Sequence, residues 1–190
     1  MNHIVIVGLG ALGSHVVQAL RNMKCGLKLV DFDCVEQKNT LAQFHSNMSL
    51  RRNKALAMQQ ALQGLWGVKV ETVPHKLTDG NAKQLLGGAA LVIDCTDNIA
   101  ARTCMMLYCK AAGIPLLHGA MSADGTFARV IWTERFVPDA ESGDGATCED
   151  GENLPFHLLA GSLIAISAKA FLDKGRKTNY QVSPGGVLVV

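Results

Sequence analysis

Three glycines near the start of the sequence have the spacing of a phosphate-binding turn. Gly8, Gly10 and Gly13 form a GxGxxG motif that directly follows an apolar run at residues 4–7. A turn of this kind, between a strand and a helix, brings backbone N–H groups and a helix N-terminus against a phosphate. Glycines alone could serve only a tight turn and close helix packing, but here the strand and the helical pattern are both present. We therefore predict a nucleotide-binding site.

Two carboxylates follow the next apolar run, at residues 27–30. They are Asp31 and Asp33, and both stand where an acid meets the ribose hydroxyls in dinucleotide-binding folds. Such an acid suits NAD(P) and ATP equally, because both ligands carry a ribose.

A lysine and another acid further along the chain distinguish ATP from NAD(P) as the ligand. Hydride transfer needs neither Lys54 nor Asp97, whereas an ATP-using enzyme needs a cation for the triphosphate and a carboxylate for Mg²⁺. These residues also have structural interpretations. Lys54 could be only a solvated side chain on a helix. Asp94 and Asp97 could end a strand and cap the helix that starts near Asn98. Arg102 could simply pair with these acids.

Short apolar runs alternate with helical patterns along the chain. The predicted strands are 4–7, 27–30, 68–73, 89–94, 115–119 and 125–133, and the predicted helices are 11–23, 50–65, 100–112 and 154–172. This alternation predicts an α/β, Rossmann-like fold: a mostly parallel sheet with helices on both faces and additional C-terminal strands. No repeat or linker interrupts it, so we expect one nucleotide-binding domain over residues 1–190.

Composition and charge exclude several classes of protein. With 48% hydrophobic and 18% charged residues, the chain is neither disordered nor a coiled coil. Six of its sixteen acids fall in an acidic loop at about 138–153, which leaves 18 basic residues against 10 acids elsewhere. That surplus suits an acidic ligand or partner. With only 5% aromatic residues and no basic cluster, we expect no nucleic-acid partner.

The cysteines and the longest apolar stretch indicate a reduced, cytoplasmic protein without a membrane partner. No two of the six cysteines are spaced CxxC, so we expect no zinc site. The start of the chain lacks a basic region before its apolar run and is not a signal peptide. The apolar stretch 154–171 contains His157 and Lys169, which indicates a buried helix. His45 and His118 have no carboxylate or cysteine partner at catalytic spacing, so we expect structural roles for them.

The order of these motifs resembles the ThiF/MoeB/HesA family, the bacterial relatives of ubiquitin-activating enzymes. The shared order is GxGxxG, DxD, N-x-x-x-Q, K and D-x-T-D-N-x-x-x-R, and it runs through Asn39, Gln43 and Lys54. The resemblance spans residues 4–172. It implies that the C-terminal carboxylate of a ubiquitin-like or sulfur-carrier protein attacks the α-phosphate of MgATP, giving an acyl-adenylate and pyrophosphate. The implied pathways are thiamine or molybdopterin biosynthesis, and the implied carrier ends in Gly-Gly.

The resemblance also implies a role for each matching residue. Gly8, Gly10 and Gly13 would line the nucleotide, and Asp33 (or Asp31) would bind the ribose. Asn39, Gln43 and Lys54 would face the phosphates, and Asp97 would hold Mg²⁺. Asn98 would border the adenosine, and Cys148 would accept the acyl group or its sulfur. Cys148 could equally be an inert loop thiol, because neighbouring carboxylates raise a thiol pKa. Relatives dimerise, and the apolar helix 154–172 must be buried in a core or an interface, so we expect a homodimer.

The sequence departs from the family pattern at several points. The arginine that usually precedes the glutamine is Ala42, and Arg51 or Arg52 could replace that cation. The N-terminal helical arm and the two CxxC zinc pairs of many members are also missing. The missing arginine and the missing arm leave one alternative to the enzyme, a nucleotide-binding scaffold that has lost activity. The glycine motif alone leaves another, an NAD(P)-dependent oxidoreductase.

Overall fold

A single eight-stranded sheet runs through the computed structural model, which describes residues 3–122, 124–137 and 151–190. The strands are β1 (His3–Val7), β2 (Gly26–Val30), β3 (Glu71–Val73), β4 (Leu91–Asp94), β5 (Leu116–Met121), β6 (Ala128–Trp132), β7 (Tyr180–Ser183) and β8 (Gly186–Val189). Their order across the sheet is β3-β2-β1-β4-β5-β6-β7-β8. The five strands from β3 to β5 pair in parallel and the last three antiparallel. The predicted Rossmann-like sheet with additional C-terminal strands is confirmed.

Helices cover both faces of this sheet. They are α1 (Gly13–Leu20), α2 (Asn39–Ala42), α3 (Lys54–Trp66), α4 (Ala82–Leu86), α5 (Ile99–Ala112) and α6 (Leu154–Lys174). The alternation of β1 shows the two layers, since Ile4 and Ile6 join the core formed with α1, α3 and α6. Val5 and Val7 join the core formed with α4 and α5. A strand buried on both faces reads as the continuous apolar run seen in the sequence.

The long apolar helix α6 crosses α1 at close range. A side chain at Gly161 would bring its Cβ to 3.0 Å from the Cβ of His15, so the glycine permits the crossing. By length and composition α6 could span a membrane, but 50% of its most apolar window is buried in the protein. Ala160, Leu163 and Ile164 lie in the core. This agrees with the core helix expected from the sequence.

Several boundaries differ from the prediction for local physical reasons. The helix predicted from residue 50 begins at Lys54, because the Asn53 side chain accepts from the amides of Ala55 and Leu56 and so caps it. The strand predicted over 68–73 pairs only at Glu71–Val73. Of the acidic loop, only residues 151–153 belong to the described part of the chain, and Cys148 lies outside it.

Candidate active site

A cavity of about 400 Å³ opens at the carboxyl ends of the parallel strands. It lies where β1 separates β2 from β4, the point at which the strand order reverses direction. Ligands of open α/β sheets bind at this switch point, because the loops on either side run in opposite directions and leave a crevice. We call this space the nucleotide cavity.

The glycine loop forms one wall of the nucleotide cavity, and two of its glycines are required by geometry. Gly8 has φ +86°, and a Cβ there would lie 2.8 Å from the carbonyl oxygen of Cys95. A Cβ on Gly13 would lie 1.8 Å from the carbonyl oxygen of Gly8. At Gly10 the nearest atom to such a Cβ is Nε2 of Gln43 at 4.0 Å. Gly10 lines the cavity, so its missing side chain leaves room on the ligand side.

The two predicted acids take different positions. The carboxylate of Asp31 is buried and accepts from the backbone amides of Leu9 at 2.6 Å and Asp33 at 2.8 Å. Burial raises the pKa of Asp31, which these two hydrogen bonds and nearby Lys54 partly oppose. The side chain of Asp33 is half exposed at the cavity. Asp31 therefore braces the glycine loop, and Asp33 is the acid whose side chain is open to the cavity.

Lys54 is a buried cation in the cavity wall. It is the first residue of α3, and its Nζ lies 3.7 Å from Oδ2 of Asp33. Arg51 and Arg52, in contrast, are exposed and are not among the lining residues. The backbone groups of both arginines hydrogen-bond to the backbone of Val35, and Arg51 has φ 66°. Both residues therefore shape the turn before α3. Within the single chain neither arginine supplies the cation missing at position 42.

The predicted N-x-x-x-Q residues lie at the two ends of the short helix α2: Asn39 begins it and Gln43 directly follows its last residue. Asn39 is buried and its Oδ1 accepts from the amide of Glu36 at 2.9 Å. Gln43 lines the nucleotide cavity, and its buried Oε1 has no hydrogen-bond partner among the described residues. Ala42 is fully buried, does not line the cavity, and its carbonyl lies 3.1 Å from Nε2 of His15.

Two buried histidines stand behind the glycine loop. Nε2 of His45 lies 3.0 Å from the carbonyl oxygen of Leu9. Burial lowers the pKa of His45 to about 4, and burial also lowers the pKa of His15. Neutral His45 can donate to this carbonyl, so Leu9 is held at both its amide and its carbonyl.

The loop after β4, residues 95–98, is called the Asp97 loop. Asp97 is exposed and lines the nucleotide cavity. Asn98 caps α5 by accepting from the amide of Ala101 at 2.9 Å, so the suggestion that Asp97 is the cap is wrong. Across the described ranges, no hydrogen bond or ion pair engages the Asp97 carboxylate, which leaves it free for a ligand.

The expectation that His118 has no carboxylate partner is also wrong. Its Nδ1 lies 2.7 Å from Oδ2 of Asp94, and both side chains are fully buried. The pair was missed because the strands β4 and β5 bring residues 24 positions apart into register. Arg102 does pair with Asp94, with Nε 3.4 Å from Oδ2.

Sequence reasoning missed other residues that line the cavity. Phe32 stands between the two acids, and the ammonium of Lys76 lies 5.4 Å from the centroid of its ring. Lys38 and His75 line the same space. His75 and Lys76 directly follow Pro74 at the end of the third predicted strand, a position that could have flagged them.

Metal binding by protein ligands alone is not indicated within residues 3–122, 124–137 and 151–190. That part of the chain holds no group of three His, Cys, Asp or Glu side chains suited to a metal. Mg²⁺, however, is commonly bound by one or two carboxylates together with substrate phosphates and waters. The free carboxylate of Asp97 beside a cavity with room for phosphates fits that kind of site.

Comparison with known proteins agrees with this geometry. The chain matches the ThiF family over residues 1–156. It is 34% identical to molybdopterin-synthase adenylyltransferase of Salmonella typhimurium, covering 87% of this chain and 70% of that protein. It is 33% identical to the SAMP-activating enzyme E1 of Haloferax volcanii over 63% of this chain and 46% of that enzyme.

Solved structures with the same fold include nucleotide complexes. The structure of E. coli tRNA N6-threonylcarbamoyladenosine dehydratase, TcdA, in complex with AMP has a TM-score of 0.71 at 21% identity, covering 92% of this chain and 87% of that one. E. coli MccB with ATP has a TM-score of 0.78 at 18% identity, covering all of this chain and 63% of MccB. The chain thus spans less than two thirds of some of these proteins.

Proposed function

The chain belongs to the ThiF family, and from that premise we propose that it is an ATP-dependent adenylyltransferase. Its substrate is the C-terminal carboxylate of a ubiquitin-like or sulfur-carrier protein. A carboxylate oxygen attacks the α-phosphorus of ATP, the bond to the bridging oxygen of the β-phosphate breaks, and pyrophosphate leaves. The product is an acyl-adenylate. Relatives named adenylyltransferases over most of the chain support this activity.

One observation carries the proposal: a glycine loop, a buried lysine and a free carboxylate face the same cavity. Gly10, Lys54 and Asp97 come from three separate segments, the glycine loop, the start of α3 and the loop after β4, and all line the nucleotide cavity. The attacking carboxylate and the triphosphate repel each other, so positioned positive charge supplies much of the catalysis. Lys54 would bind the phosphates, Asp33 the ribose, and the unpaired oxygen of Gln43 a donor on the ligand. Asn39 would order the α2 turn beside them, and Asn98 would border the adenosine.

Asp97 is the residue that would hold Mg²⁺. When bound, Mg²⁺ neutralises phosphate charge that would otherwise oppose the attacking carboxylate. The Asp97 carboxylate is exposed at the cavity and engaged by no other described residue, so binding a cation requires no partner to be displaced. Cys148, outside the described residues, remains either an acceptor of the activated group or an inert thiol.

The carrier and the assembly complete the proposal. We infer that the carrier ends in Gly-Gly, that the pathway is molybdopterin or thiamine biosynthesis, and that the whole chain, 1–190, acts as one adenylation domain in the cytoplasm. We also infer a homodimer. Leu158, Leu159 and Ile166 of α6 remain exposed in the single chain, and a second copy would bury this apolar stripe.

A nucleotide-binding scaffold without activity is the second candidate. It rests on Ala42, which is buried where the family pattern has an arginine and adds no cation to the cavity. An oxidoreductase using NAD(P) is the third, and Lys54 and Asp97 argue against it because hydride transfer has no use for them.

Pyrophosphate exchange with the matching carrier tests the proposal. We expect carrier-dependent exchange of labelled pyrophosphate into ATP, together with thermal stabilisation by MgATP and none by NAD(H). A ligand at 100 times its Kd adds about 2.7 kcal/mol to the free energy of unfolding. Stabilisation by MgATP without exchange would favour the scaffold, and stabilisation by NAD(H) alone would favour the oxidoreductase.

A further inference from the structure

Asp94 is a fully buried carboxylate whose two oxygens both accept hydrogen bonds. Its Oδ1 accepts from the backbone amide of Thr96 at 2.9 Å and from the hydroxyl of Thr96 at 2.7 Å. Its Oδ2 lies 2.7 Å from Nδ1 of His118 and 3.4 Å from Nε of Arg102. Such a buried charge is tolerated only where its hydrogen bonds are made with good geometry.

The ring of His118 is fixed on several sides. β5 pairs in parallel with β4, which sets His118 directly beside Asp94. The imidazole stacks on Phe136 with ring centroids 3.9 Å apart, and its Nε2 lies 3.4 Å from the hydroxyl of Thr133. Because an ionised carboxylate can only accept, Nδ1 carries the hydrogen in the bond to Asp94. His118 therefore points its one Nδ1–H at Asp94.

Thr96 connects the buried Asp94 carboxylate to the Asp97 loop. Its amide and hydroxyl both donate to Asp94, and its carbonyl accepts from the guanidinium of Arg102. The next residue is Asp97, whose carboxylate is held by no hydrogen bond or ion pair in the part of the chain that the structure describes. The position of that carboxylate is consequently set by the backbone at Thr96.

We propose that His118 is a positioning residue for adenylation: by fixing Asp94, it holds Thr96 and so keeps the Asp97 loop in place at the nucleotide cavity. This inference rests on the proposed function. Without the Nδ1–H of His118, Oδ2 of Asp94 keeps only the long contact to Arg102. The carboxylate is then free to turn toward Arg102, and Thr96 loses the fixed acceptor for its amide and hydroxyl. His118 touches no substrate in this arrangement.

Two substitutions of similar size separate positioning from simple loss of packing. In His118→Asn, Nδ2 takes the place of Nδ1 and can still donate to Asp94. In His118→Gln, the amide nitrogen matches Nε2 and the donor to Asp94 is lost. Ser167→Ala is the control for general destabilisation, because the hydroxyl of Ser167 on α6 links Trp132 of β6 to the carbonyl of Thr178, away from the Asp97 loop.

The first measurement is hydrogen exchange of the Thr96 backbone amide in the ligand-free protein. A lost hydrogen bond to a charged group corresponds to about a tenfold change or more. We expect exchange about tenfold faster in His118→Gln, and within about threefold of the wild type in His118→Asn and in Ser167→Ala. Equal exchange in the two His118 variants, or equally fast exchange in Ser167→Ala, would overturn the proposal.

The second measurement is pyrophosphate exchange with the matching carrier. We expect His118→Gln to lower kcat about tenfold and to leave the KM for ATP within about threefold of the wild type, because Lys54, Asp33 and the glycine loop are untouched. We expect His118→Asn to keep most of the wild-type kcat. A loss of kcat shared by both variants would count against positioning. A wild-type protein without exchange would refute the proposed function instead, and the Thr96 measurement would still decide the role of His118.

Discussion

The backbone amide of Leu9 donates to the carboxylate of Asp31 at 2.6 Å, across the base of the nucleotide cavity. The carbonyl of the same residue lies 3.0 Å from Nε2 of His45. Leu9 stands between the first two glycines of the loop, which have no side chains to hold them. The glycine loop is therefore fixed through its backbone by an acid from the end of β2 and a histidine from the segment after α2.

Substituting the two acids after β2 one at a time separates bracing from ligand binding. Asp31→Asn places an NH₂ group against one of two backbone donors, so we expect it to lower the free energy of unfolding by about 1–3 kcal/mol. Asp33→Asn changes a half-exposed side chain, so we expect a change within about 0.5 kcal/mol and weaker MgATP binding. Urea denaturation and MgATP titration of both variants measure the difference. Equal stability losses would show that Asp31 is not the brace.

His45 makes stability depend on pH. Its pKa in the folded protein is about 4, because of burial and, less strongly, the nearby charges of Lys54 and His15, against an ordinary value of 6.5. Between these values the unfolded chain binds a proton that the folded protein does not, so stability falls as pH drops. The loss attributable to His45 is about 3 kcal/mol from pH 6.5 to pH 4 and absent above pH 6.5.

The matched variant for this pH dependence is His45→Gln, whose amide can still donate to the carbonyl of Leu9. We expect denaturation curves between pH 7 and pH 4 to show a shallower decline in the variant than in the wild type. Parallel declines would mean that His45 does not titrate as its burial requires.

Sequence reasoning located the glycine loop, Lys54 and Asp97 because each belongs to a local pattern. Gly8 and Gly13 are dictated by contacts with their own turn and with the end of the neighbouring strand β4, a constraint that the motif itself encodes. The bond between Asp94 and His118 could not be predicted, because it depends on the register of β4 and β5. Pairing between strands far apart in sequence leaves no periodic signal.

The C-terminal hairpin has a turn signal in the sequence, although the individual strands β7 and β8 are not among the predicted strands. β7 and β8 are joined at Pro184 and Gly185, a dipeptide typical of turns that directly precedes the apolar run of β8. The location of the cap on α5 is a subtler case, since Asp97 and Asn98 are both good cap residues. Only the backbone conformation decides that Asn98 takes this role.

Removing the buried cation tests its role in phosphate binding. We expect Lys54→Met to raise the KM for ATP or lower kcat by about tenfold or more, because a charge-assisted hydrogen bond to phosphate is lost. Lys110→Met makes the same change of charge on the exposed C-terminal turn of α5, outside the cavity. Steady-state exchange kinetics of both variants give the comparison, and equal effects would contradict a specific role for Lys54.

The exposed stripe on α6 predicts an interface. We expect the wild type to sediment as a dimer at micromolar concentration, and Ile166→Glu to shift it to monomer, because a buried unpaired charge is costly. Leu188→Glu makes the same kind of change on the exposed strand β8 and should leave the dimer intact. Sedimentation velocity distinguishes these outcomes, and a monomeric wild type would contradict the interface on α6.

Asp97→Asn tests the centre of the proposed mechanism. The side chain is exposed and does not cap α5, so we expect the free energy of unfolding to stay within about 0.5 kcal/mol of the wild type. An amide cannot supply the charge that holds Mg²⁺, so we expect pyrophosphate exchange to fall by about a hundredfold or more. Glu71→Gln is the control: it makes the same change of charge on the exposed edge strand β3, outside the cavity, so we expect pyrophosphate exchange to stay close to that of the wild type. If Asp97→Asn, assayed with the matching carrier, keeps exchange within a few-fold of the wild type, Asp97 does not hold the metal and the cation that permits attack on the α-phosphate must be bound elsewhere.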